Sequence, residues 1–236
     1  CKEYSGAPYF AAISALKVGC DLSHVFCYSD ASPVIKAYSP DLIVHPVLDS
    51  SGAVNAICGV LPRLHSLVIG PGLGRSESDF RKIHEIIDIA KPSGIPIVLD
   101  ADALLYVSST PEAIRGYRKA ILTPNAAEFK MLAERVLKDK AKLSEDCVKR
   151  LAQALGNVTI VLKGRTDMIS DGELFIECKE EGGPRRCGGQ GDLLAGALGV
   201  FSHWSHQATK TLKGGLSAPV LAALGACLLT KRCNKL

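Results

Sequence analysis

In the stretch Cys187-Gly188-Gly189-Gln190-Gly191-Asp192 a carboxylate stands among three glycines, just ahead of an apolar run over residues 193–200. Glycines let a backbone pass close to a ligand and turn its N–H groups toward an anion. The apolar run opens a helix, whose N-terminal N–H groups and dipole favour a bound phosphate. A fixed negative charge works against anion binding there unless it has a task. The task that suits it is to take the proton from a hydroxyl while that hydroxyl attacks a phosphoryl group. Asp is also a good helix N-cap, so a structural reading exists. Three clustered glycines exceed what capping needs, and the chemical reading is preferred.

Three further segments could face the same ligand. Gly70-Pro71-Gly72-Leu73-Gly74 follows a short apolar run, and reads equally as a close-approach loop or as a tight strand-to-helix turn. In Thr123-Pro124-Asn125-Ala126-Ala127-Glu128, Asn125 and Glu128 have the spacing of a capping box. The same spacing puts an amide and a carboxylate on one face, where Glu128 could hold Mg²⁺ through water, an ion that keeps much of its hydration shell. Lys163-Gly164-Arg165-Thr166-Asp167 closes another apolar run. A lysine there can meet a phosphate, although a solvated turn is the commoner meaning. Other features are set aside. His203 and His206 lie one helical turn apart without a third zinc ligand in view, and Trp204 between them reads as packing. Asp100 and Asp102 close a strand, where a cap is as good a reading as contact with a metal. Cys187 has no evident base partner.

Positioning these groups takes an alternating chain. Apolar or β-branched runs at residues 42–44, 67–69, 95–99, 120–122 and 158–162 read as strands. Helical spacing covers residues 7–18, 77–90, 126–136 and 144–155. Strands apolar on both faces, alternating with helices, predict an α/β fold with a mainly parallel sheet. Residues 168–170 and 174–178 around Asp171-Gly172 read instead as an antiparallel hairpin. Ligands gather at the carboxyl ends of strands in such sheets, which is where these motifs fall. The charged stretch 138–142 reads as a mobile loop.

Composition narrows the class of partner. The chain has 236 residues, 47% of them hydrophobic, and no Pro/Gly/Ser-rich linker, which fits one sizeable α/β domain over residues 1–236 and excludes disorder as the main state. A net charge of +4, scattered along the chain, gives no argument for nucleic acid and suits an anionic small molecule. Nine cysteines without a C-x-x-C pair suggest reduced thiols and an intracellular place. The longest apolar stretch, residues 216–229, is too short and interrupted to span a membrane.

Gly-Gly-x-Gly-Asp before an apolar helix resembles the catalytic motif of ribokinase-like kinases. With Gln190 in the variable place and Arg185-Arg186-Cys187 ahead of it, the segment more closely resembles the eukaryotic ATP-dependent NAD(P)H-hydrate dehydratases, a hydro-lyase family that repairs hydrated NADH and NADPH (NAD(P)HX). Glu3-Tyr4-Ser5-Gly6-Ala7-Pro8, the 70–74 glycine loop, Asp100-Ala101-Asp102, residues 123–129 and Lys163-Gly164 match in order. The resemblance implies a ribokinase-like three-layer fold and one domain truncated at both ends, with a first strand missing ahead of Cys1. It implies ATP contact along Lys163, Gly164, Arg165, Thr166 and Asp167, and along Gly182, Gly183, Pro184, Arg185, Arg186, Cys187, Gly188, Gly189, Gln190 and Gly191. It implies NAD(P)HX contact at Gly72, Asn125, Ala126, Ala127, Glu128, Phe129, Lys130, Met131 and Asp192, with Mg²⁺ reached through water from Glu128 and Asp192 as the base. It implies action in cytoplasm, mitochondrion or both, and leaves homo-oligomerisation open. Ala103 stands where the family commonly has Gly, and Met131 where it commonly has a basic residue. A small-molecule kinase of the same superfamily, or a non-catalytic nucleotide-binding relative, remains the alternative.

Overall fold

The structure, a computed structural model, describes residues 3–185, 187–208 and 215–235. Helix α1 (Gly6–Val18) leads into a small parallel pair, β1 (His24–Cys27) and β2 (Ile43–Pro46), with α2 (Ser32–Tyr38) between them. After α3 (Ala53–Val60) come four parallel strands, β3 (Leu67–Ile69), β4 (Ile97–Leu99), β5 (Ala120–Leu122) and β6 (Thr159–Leu162). They are joined by α4 (Glu77–Ala90), α5 (Asp102–Ser109), α6 (Ala126–Leu137) and α7 (Glu145–Ala154). The antiparallel strands β7 (Asp167–Ser170) and β8 (Phe175–Cys178) complete a six-stranded sheet in sequential order, and α8 (Gln190–Ala208) and α9 (Ala218–Lys235) close the described chain.

Strand pleating sorts the core into layers. Ile97, Leu99, Leu122, Ile160 and Leu162 face α4 to α7, where they meet Ile87, Leu104, Phe129, Leu132 and Leu151. The alternate residues Val98, Ile121, Val161 and Ile169 face α8 and α9, against Leu194, Leu198, Val220 and Ala226. Every residue of β4, β5 and β6 is buried, as a parallel sheet covered on both faces requires. The result is the three-layer α/β arrangement expected. Local chemistry fixes the helix starts. Ser76 and Asp79 form a capping box for α4, Asn125 and Glu128 another for α6, and Ser144 Oγ accepts from Cys147 N–H at the start of α7.

The sequence reading missed β1, α2, α3, α5 and α9. α5 begins only two residues after β4, across Asp100 and Ala101, with no glycine or proline to mark the turn. Between the β1–β2 pair and β3 lies a cavity of ≈680 Å³, lined by residues such as Ala12, Val25, Ile57, Val68, Ile83 and Val200. Among the described residues no helix is long and apolar enough to cross a membrane.

Candidate active site

The segments just beyond the parallel strands are tied to one another by backbone. Asp100 N–H donates to Ile69 O (3.1 Å), Thr123 N–H to Leu99 O (3.1 Å), and Lys163 N–H to Pro124 O (2.9 Å). The ends of β3, β4, β5 and β6 therefore form one rim, and the start of α8 stands over it. Gly189 adopts φ 82°, a backbone that residues with a Cβ avoid, and a Cβ there would press into the Phe10 ring of α1 at 3.0 Å. The Gly189 carbonyl accepts from Leu193 N–H at 2.9 Å. Asp192 is thus inside the first turn of α8 rather than at its cap, and the capping reading of Asp192 falls.

Beneath this turn, Lys163 Nζ donates to Asp100 Oδ1 at 2.7 Å. Asp100 is 2% exposed. A Cβ on Gly191 would lie 3.2 Å from Lys163 Nζ and 3.8 Å from Asp100 Oδ2, so the ion pair runs directly under the residue that precedes Asp192. Burial pushes the Asp192 carboxyl up to about 6; the charge of Asp100 pushes the same way, and Lys163 opposes it. A carboxylate poised there is matched to general-base work near neutral pH. The helix start and the lysine supply positive potential for a phosphate beside it.

The 163–167 turn is held from α9. Lys231 Nζ donates to Gly164 O (3.0 Å) and Arg165 O (2.7 Å), and stands 3.4 Å from Asp167. Asp167 is buried and accepts from Gly164 N–H at 2.9 Å, so its carboxylate braces the turn from within. Gly164 and Arg165 are exposed and Thr166 half-buried. Gly182 and Gly183 pack against Asn234 of α9, while Pro184, Arg185, Cys187 and Gly188 are exposed. Arg186 lies outside the described residues. No atom stands within 4 Å of a Cβ built on Gly188, and Gln190 Nε2 is buried with no hydrogen-bond partner among the described residues. An open glycine and an orphaned donor in the turn that overlies Lys163 fit a ligand rich in acceptor oxygens.

On the other flank, Asn125 Oδ1 accepts from Ala127 N–H (3.0 Å) and Glu128 N–H (3.1 Å), and Glu128 Oε2 accepts from Asn125 N–H (2.8 Å). The capping box therefore exists, with Glu128 Oε2 engaged in it. Among the described residues no group of three or more His, Cys, Asp or Glu could hold a metal ion. Ala126, Ala127 and Lys130 are exposed and Met131 half-buried. Phe129 is fully buried in the core under α6; its side chain packs and presents no surface to a ligand. At Gly72 a Cβ would collide with Tyr4 O and crowd Pro8 Cδ, so this glycine makes room for the chain leading into α1. Asp102 accepts from Gly74 N–H (2.9 Å) and Arg75 Nε (2.7 Å), and Arg75 also feels the charge of Glu128. Of these, Asp100, Arg75 and Lys231 were not read as site residues. A carboxylate at the end of a buried parallel strand was the signal available for Asp100. His203 meets the His65 ring at 4.6 Å and His206 bonds Ser202 O, a packing arrangement.

The three-layer α/β fold is that of ribokinase-like structures. The solved ribokinase-like protein of Enterococcus faecalis superposes with a TM-score of 0.80 at 19% identity, covering 98% of this chain and 74% of that one. Within that class the chain belongs to the NAD(P)H-hydrate dehydratase family, whose model matches residues 1–235. It is 57% identical over 237 residues to the ATP-dependent (S)-NAD(P)H-hydrate dehydratase of Bos taurus, spanning all of this chain and 72% of that protein. The ADP/ATP-dependent NAD(P)H-hydrate dehydratase of Bacillus subtilis, co-crystallised with ATP/Mg²⁺, has the same fold, with a TM-score of 0.66 at 22% identity over 98% of this chain and 76% of that one.

Proposed function

We propose that this chain is an ATP-dependent hydro-lyase that returns hydrated NADH or NADPH to the reduced dinucleotide. The observation that carries the reading is Asp192, a carboxylate held up to about 6 in the glycine-rich start of α8, beside the pair of half-buried Lys163 and buried Asp100. Asp192 takes the proton from the hydroxyl that hydration placed on the nicotinamide ring. The freed oxygen attacks the γ-phosphorus of ATP, and ADP leaves. The ring then loses phosphate together with a proton from the neighbouring carbon, which restores the double bond. Water, expelled in effect as phosphate, is the group removed.

The residues divide by what they can reach. Gly188 to Gly191, Lys163 and the Gln190 amide line the phosphate side, and Arg165, Thr166, Gly182 to Arg185 and Cys187 extend it toward the rest of the nucleotide. Asn125 to Glu128, Lys130 and Met131 line the dinucleotide side, Phe129 supporting them from the core and Gly72 through the chain before α1. Mg²⁺, when bound, would offset phosphate charge, with Glu128 reaching its hydration shell. Nine cysteines without a C-x-x-C pair suit a reducing compartment, cytoplasm or mitochondrion. The reading is tested by the fate of phosphate: free phosphate and recovered nicotinamide absorbance support it, and a stable phosphoester would make the chain a kinase.

A further inference from the structure

Ala101 stands at φ 48°, ψ −118°, a backbone conformation that a residue with a Cβ adopts only under strain. The carboxylates on either side of it go to different loops. Asp102 fixes the loop after β3 through Gly74 and Arg75. Asp100, almost wholly buried, takes Lys163 Nζ at 2.7 Å. A lysine on a four-carbon stem would otherwise move freely. The pair lies under Gly191, the residue before Asp192, and the Lys163 charge acts on the Asp192 carboxyl.

We propose that Asp100 is a positioning residue: by holding Lys163 it keeps the ammonium from pairing with Asp192, leaving Asp192 able to accept a proton and Lys163 aimed at the phosphate loop. The inference rests on the reading of Asp192 as the base. The charged groups that act on Asp192 among the described residues are these two, Asp100 raising and Lys163 lowering its proton affinity. With the amide of Asp100→Asn in place, the like charge is gone and Lys163 turns to Asp192.

The test is the pH dependence of kcat in Asp100→Asn and Asp100→Glu, with the Asp192 carboxyl followed by carbon NMR in the unliganded protein. In Asp100→Asn the acidic limb and the Asp192 titration move to lower pH by about one unit or more, as a new ion pair dictates, and kcat falls more than KM rises. Asp100→Glu keeps the charge and recovers the limb in part. Where Asp100→Asn fails to fold, Asp100→Asn/Lys163→Gln leaves no unpaired buried charge; it moves the limb the same way by less, because the larger of the two opposing charges has gone. A folded variant whose Asp192 titrates as in the parent overturns the inference. A fully active Asp192→Asn would instead overturn the base reading beneath it.

Discussion

Replacing Asp192 by Asn should cost activity and add stability, and the added stability should depend on pH. The native carboxyl sits at about 6 against an ordinary value of 3.8, chiefly through burial, then through Asp100. Between those two values the folded protein holds a proton that the unfolded chain has lost, so rising pH drains stability from the parent. The difference corresponds to about 3 kcal/mol at most, and partial exposure of the side chain reduces it to about 1–2 kcal/mol. Asn keeps the size without the charge. At pH 8 the variant should melt about 3–6 °C above the parent for a chain of this length, and the gap should close toward pH 4. The hydroxyl proton then has no acceptor, and the rate should fall by about 10²–10⁴-fold or more. Thermal melts across pH 4–8, with turnover measured on the same samples, check both signs. A pH-independent gap would refute the buried-charge argument, and an unchanged rate would remove Asp192 from the chemistry.

Gly196→Ala, on the α8 face against α1, drives a methyl into Ala11 O and Ser14 Oγ; overpacking of about 1–3 kcal/mol should lower Tm by roughly 3–10 °C by calorimetry. Ala101→Gly should raise Tm slightly, since strain of about 1–3 kcal/mol is exchanged for a glycine entropy cost of about 0.5–1 kcal/mol; an unchanged or lower Tm would show that Ala101 is not strained. Met131→Arg, on the half-buried side of α6, should tighten NADHX and NADPHX binding by about tenfold or more through a charged hydrogen bond to phosphate, with ATP affinity as the control. An unchanged substrate affinity in a folded variant would take Met131 out of the site.

What could be read from the chain beforehand was local and densely marked. β5 and α4 fall on the residues their patterns predicted, because a continuous apolar run announces the one and helical apolar spacing the other. The start of α8 was legible because three glycines around one carboxylate have few other uses. β1 was not: His24–Cys27 is four residues long, and although its burial alternates, the residue types His, Val, Phe and Cys carry no matching polar–apolar alternation. Phe129 was grouped with the ligand face because it belongs to a contiguous motif. Yet Phe129, Leu132 and Ala133 share one helical stripe, and that stripe faces the core. The Asp100–Lys163 pair spans 63 residues of sequence, and no local pattern joins residues whose meeting depends on strand order.

The most direct measurement is the product balance. The protein is given NADHX or NADPHX with and without ATP and Mg²⁺, while nicotinamide absorbance and inorganic phosphate are followed together. The account predicts one phosphate released for each reduced dinucleotide recovered, with no recovery when ATP is withheld. A phosphorylated dinucleotide that persists, or recovery at the same rate without ATP, would contradict it.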